Sequence, residues 1–323
     1  MAVMIASVHA HAEQRERATR AELATRIAQV VRTDGSAEPL PGVHVHRVSR
    51  TNEPTHSVYG PSFCVIAQGR KEITLGDRSY DYDAEHYLLV TVELPFTGRI
   101  IEASWDRPYL CVNLDLDPAL VGSVMVEAGL PAPRGQTDAK GLVVSALDAD
   151  LLDAALRLMR LIDAPPQASV LAPLIKREII FRLLLGDQGH RLRHFPLLSG
   201  NAHPIARAIE RLRQEFDQPL RMDRIAQEIG MSASGFHHHF KAITDMSPLQ
   251  FQKQVRLQEA RRLMLGEDLD VASAGMRVGY NDASQFSREY KKHFGTTPAR
   301  DVERLRATRG GEPQHVRKEH PLR

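Results

Sequence analysis

The amino-acid sequence predicts an α+β protein of two domains. We expect an N-terminal antiparallel β-barrel with flanking helices, followed by a C-terminal all-α domain in which two similar helical units are joined by a long helix. Two observations carry this prediction: residues 43–116 divide into short strand-like segments separated by turn residues, and the last third of the chain contains an internal repeat. Closely spaced short strands are typical of small barrels and sandwiches, and a repeat at a fixed offset indicates duplicated structural units.

The length and composition exclude several classes of protein. With 323 residues, of which 42% are hydrophobic and 25% charged, the chain resembles a globular protein rather than a disordered, fibrous or coiled-coil one. No apolar run approaches the ~20 residues of a membrane helix, and the apolar start, residues 1–6, is too short for a secretory signal. The two cysteines cannot build a disulfide framework. We therefore expect a cytoplasmic protein without a membrane partner.

Two local patterns in the first half of the chain predict antiparallel strands. Residues 110–116 alternate between leucine or valine and a second set, Cys111, Asn113 and Asp115, which is the period of a half-buried strand. Residues 71–75 and 78–82 flank the dipeptide Gly76-Asp77, which is a two-residue hairpin signal. Together these patterns favour a small antiparallel barrel or sandwich.

Helical periodicity and turn residues predict the domain boundaries. Two apolar helices are expected at 147–162 and 167–185, after the strands. Glycines and a proline without a clear period follow them, as in a linker. The predicted boundaries are a tail at 1–20, a first domain at 21–185, a linker at 186–202, a helical domain at 203–308 and a tail at 309–323.

The internal repeat predicts two helix-turn-helix units. Gly230 matches Gly279 at an offset of 49 residues. Phe236 matches Phe286, and Pro248 matches Pro298, at an offset of 50. In each copy a short helix ends at the glycine, Ser232 or Asn281 caps the next helix, and that helix carries apolar anchors four residues apart. This is the pattern of a helix-turn-helix. Its second helix, the recognition helix, fits the major groove of B-DNA.

The region between the copies and the distribution of charge agree with a DNA-binding function. A helix from Pro248 to about Leu265 would join the two units rigidly and place the recognition helices about one DNA turn, 34 Å, apart. Residues 201–323 contain 21 Lys and Arg against 16 Asp and Glu, a net charge of +5, whereas the preceding residues have a net charge of −3. A basic C-terminal part favours a polyanionic partner.

These motifs resemble a known family. The span from about residue 204 to 306 is similar to the AraC/XylS type of bacterial transcription regulator, with its strongest signature in VGYND at 278–282, QFSREYKKHFG at 285–295 and TP at 297–298. PSFCVIAQGRK at 61–71, LGD at 75–77 and YDY at 80–82 resemble the N-terminal domain of one branch of that family. The resemblance implies a cupin-like domain for effector binding or dimerisation, followed by the DNA-binding domain.

Nine side chains on the two recognition helices are predicted to contact DNA. Arginine can pair bidentately with guanine and glutamine with adenine, while serine, histidine and lysine also serve phosphate contacts. The candidates are Ser234, His237, His238 and Lys241 on the first helix, and Ser284, Gln285, Ser287, Arg288 and Lys291 on the second. The expected partners are double-stranded promoter DNA, a small-molecule effector, a second copy of the chain and RNA polymerase.

Two further interpretations remain open. Cupin barrels often bind metal through histidine and glutamate, and the strand region offers His44, His46, His56, Glu85, His86 and Glu93. These residues do not form an obvious ligand spacing, so we expect no metal, no cofactor and no catalytic residues. The alternative is a metal-dependent cupin enzyme fused to a DNA-binding module.

Cys64 and Cys111 are expected as buried strand residues. Their alternative is a thiol sensor of oxidants or aldehydes, which requires an exposed thiolate of low pKa.

Overall fold

The computed structural model describes residues 2–131, 140–198 and 204–309. Helices α1 and α2 and strands β1–β9 form the first part of the chain. Their bounds are α1 Ala2–Val30, β1 Gly35–Leu40, β2 Val43–Val48, β3 Thr55–Tyr59, β4 Ser62–Gln68, β5 Arg70–Leu75, β6 Arg78–Asp83, β7 His86–Val90, β8 Leu94–Glu102, β9 Tyr109–Asp115 and α2 Pro118–Glu127. Strand β10 and eleven helices follow within the described residues. Their bounds are β10 Leu142–Ala146, α3 Ala149–Arg160, α4 Pro165–Leu185, α5 Gly189–Leu192, α6 Phe195–Leu198, α7 Pro204–Gln214, α8 Met222–Glu228, α9 Ala233–Thr244, α10 Pro248–Gly266, α11 Val271–Arg277, α12 Ala283–Phe294 and α13 Pro298–Arg309.

The strands form two antiparallel sheets that enclose one apolar cluster. The six-stranded sheet has the order β1-β2-β9-β4-β7-β10, and the four-stranded sheet has the order β3-β8-β5-β6. Buried side chains from both sheets, among them Cys64 and Ile73, belong to the same cluster. The predicted hairpin is confirmed, because Leu75 pairs with Arg78 across Gly76, whose φ of +58° is the conformation that such a turn requires. The antiparallel barrel-like fold class is confirmed.

The alternation predicted for strand β9 is confirmed in its second half, where Asn113 is half-buried and Asp115 exposed, whereas Cys111 on the same face is buried. Leu110, Val112 and Leu114 pack with the helices outside the sheet, while Cys111 points to the cluster between the two sheets and is 4% exposed. The second face of the strand thus reaches solvent at Asp115 and meets the opposite sheet at Cys111. A cysteine serves there as a small apolar side chain.

Helices α1, α3 and α4 cover the outer face of the six-stranded sheet. Leu23 and Ile27 of α1, Leu152 of α3 and Ile179 of α4 are at most 1% exposed and share one core with the sheet. The helices predicted at 147–162 and 167–185 are present. The segment predicted as a tail at 1–20 is helical from Ala2 onward, as the first part of α1. The periodicity is apolar only from Leu23, where the helix reaches the core.

The predicted linker at 186–202 is packed in part into the first domain. Helices α5 and α6 lie within it, and Leu192 and Phe195 are completely buried in the same core as α4. Glycines and Pro196 concealed this from sequence analysis, because two apolar anchors three residues apart are too few for a periodic signal. Residues 199–202 of the predicted linker, and residues 310–323 of the second predicted tail, lie outside the described residues.

The C-terminal helices form the two predicted helix-turn-helix units. Helices α8 and α9 are the first unit, α11 and α12 the second, and the long helix α10 joins them. Gly230 and Gly279 have φ angles of +73° and +87°, as the tight turns require. Ser232 caps α9 as predicted, but the cap of α12 is Asp282 rather than Asn281. The second turn contains one additional residue, which moves the cap by one position.

Candidate nucleic-acid interface

The exposed face of α9 contains all four side chains predicted for the first recognition helix. Ser234, His237, His238 and Lys241 are exposed and follow the spacing of one helical face, whereas the anchors Phe236 and Phe240 are completely buried. The side chain of Ser232 accepts a hydrogen bond from the backbone N–H of Gly235 at 3.1 Å and begins the helix. Burial of the aromatic side therefore orients the polar side outward.

The exposed face of α12 contains four of the five predicted side chains. Ser284, Gln285, Arg288 and Lys291 are exposed, and Ser287 is half-buried. Phe286 and Tyr290 are completely buried on the opposite side. The two buried aromatic anchors therefore turn the candidate side chains outward, as the sequence predicted.

The cations of the two exposed faces have no carboxylate partner among the described residues, unlike paired cations of the domain such as Lys253. Within the part of the chain that the structure describes, Arg288, Lys291 and Lys241 form no ion pair, whereas Lys253 lies 2.8 Å from a carboxylate oxygen of Glu289. Gln285 also uses Glu289, donating from Nε2 at 3.2 Å. An unpaired exposed cation is available to a phosphate or a base edge without first losing an internal contact.

Arg256 of the connecting helix α10 ties the two units together. Its Nε donates to the carbonyl of Phe216 at 2.6 Å, one terminal nitrogen donates to the carbonyl of Gly279 at 3.0 Å, and the other donates to that of Gln218 at 2.8 Å. The first and third carbonyls precede α8, and the second lies in the turn of the second unit. Sequence analysis missed this residue, because a single arginine in an amphipathic helix gives no signal of three distant carbonyl partners.

A buried charge network fixes α12 against α13. Asp301 is completely buried; it accepts from the hydroxyl of Tyr290 at 2.8 Å and from Arg261 at 3.0 Å. Burial acts to raise the pKa of the Asp301 carboxyl, but Arg261 and the hydrogen bonds hold that pKa below its usual value. Sequence analysis missed this network, because its three members lie in three different helices.

The barrel contacts the C-terminal ends of both recognition helices. Beside α9, the hydroxyl of Tyr80 donates to Asp245 at 2.6 Å, and Arg78 lies 3.4 Å from the same carboxylate. Beside α12, the ring of His56 lies 4.3 Å from that of His293, measured between centroids. The exposed faces of the two helices remain open in this arrangement, so the barrel holds the recognition helices without covering them.

The histidines and glutamates considered as metal ligands are dispersed among other contacts. His44 bonds to Asp115 at 3.1 Å, His86 to Asp83 at 2.8 Å and His56 to Thr97 at 2.9 Å, while Glu93 pairs with Arg213 at 2.7 Å. His46 lies on β2 opposite Cys111, and Glu85 is exposed. The described residues contain no group of three or more His, Cys, Asp or Glu that could hold a metal ion.

Cys64 and Cys111 lie between the two sheets, in the strands where they were expected. The two side chains are 3% and 4% exposed, and the sulfur of Cys64 is 3.6 Å from the hydroxyl of Tyr82. Hydrogen bonding between the thiols lowers the pKa of Cys64 and raises that of Cys111. Both thiols are shielded from solvent, which is the environment of a packed cysteine rather than of a reactive one.

Family comparisons agree with this architecture. Residues 39–191 match the family model described as AraC-type transcriptional regulator N-terminus, and residues 225–304 match a helix-turn-helix domain model. The chain therefore combines an N-terminus of the AraC type with a helix-turn-helix domain. The first match ends at residue 191, inside the segment predicted as a linker, in agreement with the packing of Leu192 into the first domain.

Individual relatives match parts of the chain. The HTH-type transcriptional regulator ArgR of Pseudomonas aeruginosa is 26% identical over 134 residues, which cover 41% of this chain and 40% of that protein. The thermoregulatory protein LcrF of Yersinia pestis is 25% identical over 182 residues, which cover 55% of this chain and 64% of that protein. The chain thus spans less than two thirds of the length of these relatives.

A solved structure shares the fold over most of this chain. ToxT from Vibrio cholerae, crystallised with an unsaturated fatty acid bound, matches with a TM-score of 0.50 and 12% identity, covering 80% of this chain and 94% of that one. At this identity the likeness concerns the fold. None of the helices that the structure describes combines the length and the apolar character needed to cross a membrane.

Proposed function

We propose that this chain is a transcription regulator of the AraC type that binds duplex promoter DNA with α9 and α12 in adjacent segments of the major groove. The carrying observation is the same in both helices: the aromatic anchors are buried, and the polar face is exposed with cations that have no carboxylate partner among the described residues. Helix α10 and the three hydrogen bonds of Arg256 restrain the separation of the two units. A restrained pair of recognition helices suits two major-groove segments about 34 Å apart.

The side chains of α12 have separate roles in this proposal. Arg288 lies two residues beyond the buried anchor Phe286, which turns it ~200° away from the core. Its guanidinium can pair with both acceptors of a guanine. Lys291 follows the anchor Tyr290 at the edge of the same face, where a point charge suits a phosphate. On α9, Ser234, His237, His238 and Lys241 take the corresponding positions.

The salt dependence of DNA binding tests the proposal. Each phosphate contact that is neutralised should steepen the fall of log K against log salt concentration by about 0.9. We expect Lys291→Ala to reduce this slope by roughly one contact. Arg32→Ala is the charge-matched control, because Arg32 is exposed on the N-terminal domain, and it should leave the slope unchanged. Salt-insensitive binding by the folded chain would contradict the proposal.

We also propose that the chain forms a homodimer through the exposed apolar stripe on α4. The stripe consists of Val170, Leu174, Phe181 and Leu185, which are 40–64% exposed and lie along one side of the helix. Leu171 adjoins it, and with Leu161 and Leu174 lines a shallow groove beside α3. An apolar stripe along a single helix is self-complementary, and contiguous exposed apolar surface usually marks a contact surface.

Light scattering of paired surface variants tests the dimer. Leu174→Arg places a charge in the middle of the stripe and should shift the chain toward the monomer. Met276→Arg is the control, because Met276 is 72% exposed on α11 of the C-terminal domain, and should leave the association unchanged. A wild-type chain that stays monomeric at high concentration, with and without DNA, would exclude the dimer.

For the effector we propose a small carboxylate with an apolar body that binds in the barrel near Lys71. The ammonium of Lys71 donates to the hydroxyl of Tyr59 at 2.7 Å and lies 5.1 and 5.6 Å from the ring centroids of Tyr59 and Phe96. A cation among aromatic rings suits such a molecule, and the structurally similar ToxT binds an unsaturated fatty acid. An unsaturated fatty acid should raise the melting temperature of the chain, while the matching fatty alcohol and the variant Lys71→Met should show no shift.

We propose further that the chain acts in the cytoplasm, regulates without catalysing a reaction, and contacts RNA polymerase when bound at a promoter. Support comes from its matches to the AraC-type N-terminus and to the helix-turn-helix domain. Transcription with purified RNA polymerase, on a template that carries the binding site, tests whether the chain acts on the polymerase. The thiol-sensor alternative stays a prediction. If Cys64 and Cys111 are packing residues, mild oxidation should leave the DNA affinity of the wild type unchanged; if they are sensors, it should change that affinity.

A further inference from the structure

The two recognition helices carry their positive charge in different chemical forms. The exposed face of α12 contains Arg288 and Lys291, with Lys292 exposed beside them. The corresponding face of α9 contains a single lysine, Lys241, and two histidines. Arginine and lysine are charged throughout the physiological range, whereas histidine changes its charge between pH 5 and 8. The helices therefore differ in whether their charge depends on pH.

His237 and His238 are exposed and have few contacts. Among the described residues, neither forms a hydrogen bond or an ion pair; the ring of His238 lies 5.4 Å from that of His239. Charged side chains lie on α9 itself and on the elements that pack against it. They are Asp77 and Arg78 of the hairpin; Arg207, Glu210, Arg211 and Arg213 of α7; Asp223, Arg224 and Glu228 of α8; Lys241 and Asp245 at the end of α9; and Lys253, Arg256, Glu259, Arg261 and Arg262 of α10.

Several acidic groups near α9 have partners elsewhere, and the remaining ones, Asp77 and Asp223, make no hydrogen bond or ion pair with His237 or His238 among the described residues. Glu228 pairs with Arg224 and Arg211, and Asp245 bonds to Tyr80. No carboxylate therefore bonds to either imidazole in the described part of the chain. A phosphate of bound DNA would be the first anion to contact them. A protonated imidazole donates from both ring nitrogens, and a neutral one donates from only one, so DNA favours the protonated form.

Two other histidines of the region do not compete for this role. His56 and His293 stack on each other at the contact between the barrel and α12. Burial, followed by the nearby positive groups, lowers the pKa of His56 to about 3 and that of His293 to about 4. Both imidazoles are neutral between pH 6 and 8, and neither lies on an exposed face of a recognition helix.

We propose that His237 and His238 couple DNA binding to proton uptake, so that the first helix-turn-helix unit binds DNA more tightly as the pH falls from 8 to 6. The second unit, with its arginine and lysines, contributes an affinity that does not change over this range. The inference rests on the proposed function, since it requires α9 to contact DNA. It assigns to this chain a pH-dependent half and a pH-independent half of one binding surface.

The affinity of the full chain at pH 6.0, 7.0 and 8.0 tests the inference, at constant ionic strength and on a duplex selected from a random library by the chain itself. We expect the wild-type affinity to fall roughly tenfold from pH 6.0 to 8.0, because each proton taken up on binding adds a pH-dependent factor. The double variant His237→Gln, His238→Gln should keep the wild-type affinity of pH 8.0 at every pH. The double variant His237→Lys, His238→Lys should keep the affinity of pH 6.0 at every pH.

Calorimetry in two buffers of different ionisation enthalpy measures the proton directly. Wild type should take up protons on binding at pH 7.0, and both double variants should take up none. Binding that is tight but independent of pH, or an unchanged pH dependence in the glutamine variant, would overturn the inference while the proposed function survives. Absence of DNA binding at every pH would overturn both. The side chains are exposed, so circular dichroism should show both variants folded as wild type.

Discussion

The two helix-turn-helix units solve the same packing problem with different chemistry. In the first unit, Phe240 packs against Phe251 with ring centroids 5.5 Å apart. At the positions 50 residues later, the second unit has Tyr290 and Asp301, joined by a hydrogen bond of 2.8 Å. Two apolar side chains in the first unit thus correspond to a tyrosine and a charged aspartate in the second, and that aspartate also bonds to Arg261. The difference teaches that the repeat conserves where the core lies and leaves open how it is stabilised.

The ends of the two recognition helices differ in a related way. Helix α9 ends at Asp245 with a φ of +55°, and α12 ends at Gly295 with a φ of +75°. Glycine adopts this conformation without strain, whereas aspartate does not, and a negative charge at a helix C-terminus is also unfavourable. Asp245 is held there by Tyr80 and Arg78 of the barrel, while Gly295 has no neighbour within 4 Å of the place where its Cβ would be. The first unit is thus the one that the barrel fixes at its helix end by a polar contact.

The largest effect is expected from breaking the polar core of the second unit. Asp301→Ala leaves Arg261 without its buried counter-ion and removes the acceptor of Tyr290, which should lower the free energy of unfolding by about 3–5 kcal/mol. Phe251→Ala in the first unit should have an effect of similar size, about 3–5 kcal/mol, through lost burial. Urea unfolding measures both. A loss below 1 kcal/mol for Asp301→Ala would mean that the network does not stabilise the domain.

The pH dependence of these two losses should separate the two kinds of core. The folded pKa of Asp301 is depressed, so its contribution is complete above the unfolded value of about 3.9 and is lost as the pH falls through the lower folded value. The difference between wild type and Asp301→Ala should therefore shrink at acid pH. The difference between wild type and Phe251→Ala should persist. Parallel curves for the two variants would contradict the comparison.

An intermediate effect is expected at the contact between the barrel and the first unit. Tyr80→Phe removes one hydrogen bond to a charged group, worth about 1.5–3 kcal/mol, and leaves the carboxylate of Asp245 with Arg78 alone. Hydrogen exchange should become faster in β6 and at the end of α9, with no change in α12. The burial of Tyr80 and its bond to Asp245 raise its pKa to about 12, so the wild-type chain should contain a tyrosine that titrates late. Uniform exchange in both units would remove the distinction between them.

The smallest effect is expected from exchanging the helix ends. Gly295→Asp introduces the residue of the first unit where no atom lies within 4 Å of the added Cβ to hold it, and should destabilise the chain by about 1 kcal/mol. Asp245→Gly removes the backbone strain of α9 together with the bond to Tyr80, so these two effects partly offset each other. Thermal unfolding measures both variants. A stabilising effect of Gly295→Asp would mean that an unrecognised partner lies near that helix end.

Local patterns predicted most of the fold, and distant contacts account for what they missed. The hairpin at Gly76, the cap at Ser232 and the anchors of both recognition helices depend on a few neighbouring residues, and the structure has them as predicted. The helical segment before Leu23 and the buried Phe195 were missed because neither has enough apolar neighbours for a periodic signal. The bond between Tyr80 and Asp245 joins residues that are 165 positions apart, and no local pattern announces such a pair.

The residues of the candidate site also divide into those that local patterns predict and those that depend on distant contacts. The outward orientation of His237 and Arg288 follows from the buried aromatic residues of their own helices, so sequence alone could place them. Arg256 and Asp301 support those helices through partners from three different segments, and their roles required the structure. The expectation that Cys111 is a buried strand residue is confirmed, but the identity of its neighbours depends on the packing of two sheets.

Competitive binding of wild type, Arg288→Ala and Lys291→Ala to a library of duplex sites tests the central claim most directly. The account predicts that Arg288→Ala loses about 1–3 kcal/mol on the preferred site and relaxes the preference at one base position. It predicts that Lys291→Ala weakens all sites about equally, with the preference unchanged. If Arg288→Ala left the preference unchanged at every position, the assignment of the exposed face of α12 to base contacts would be contradicted.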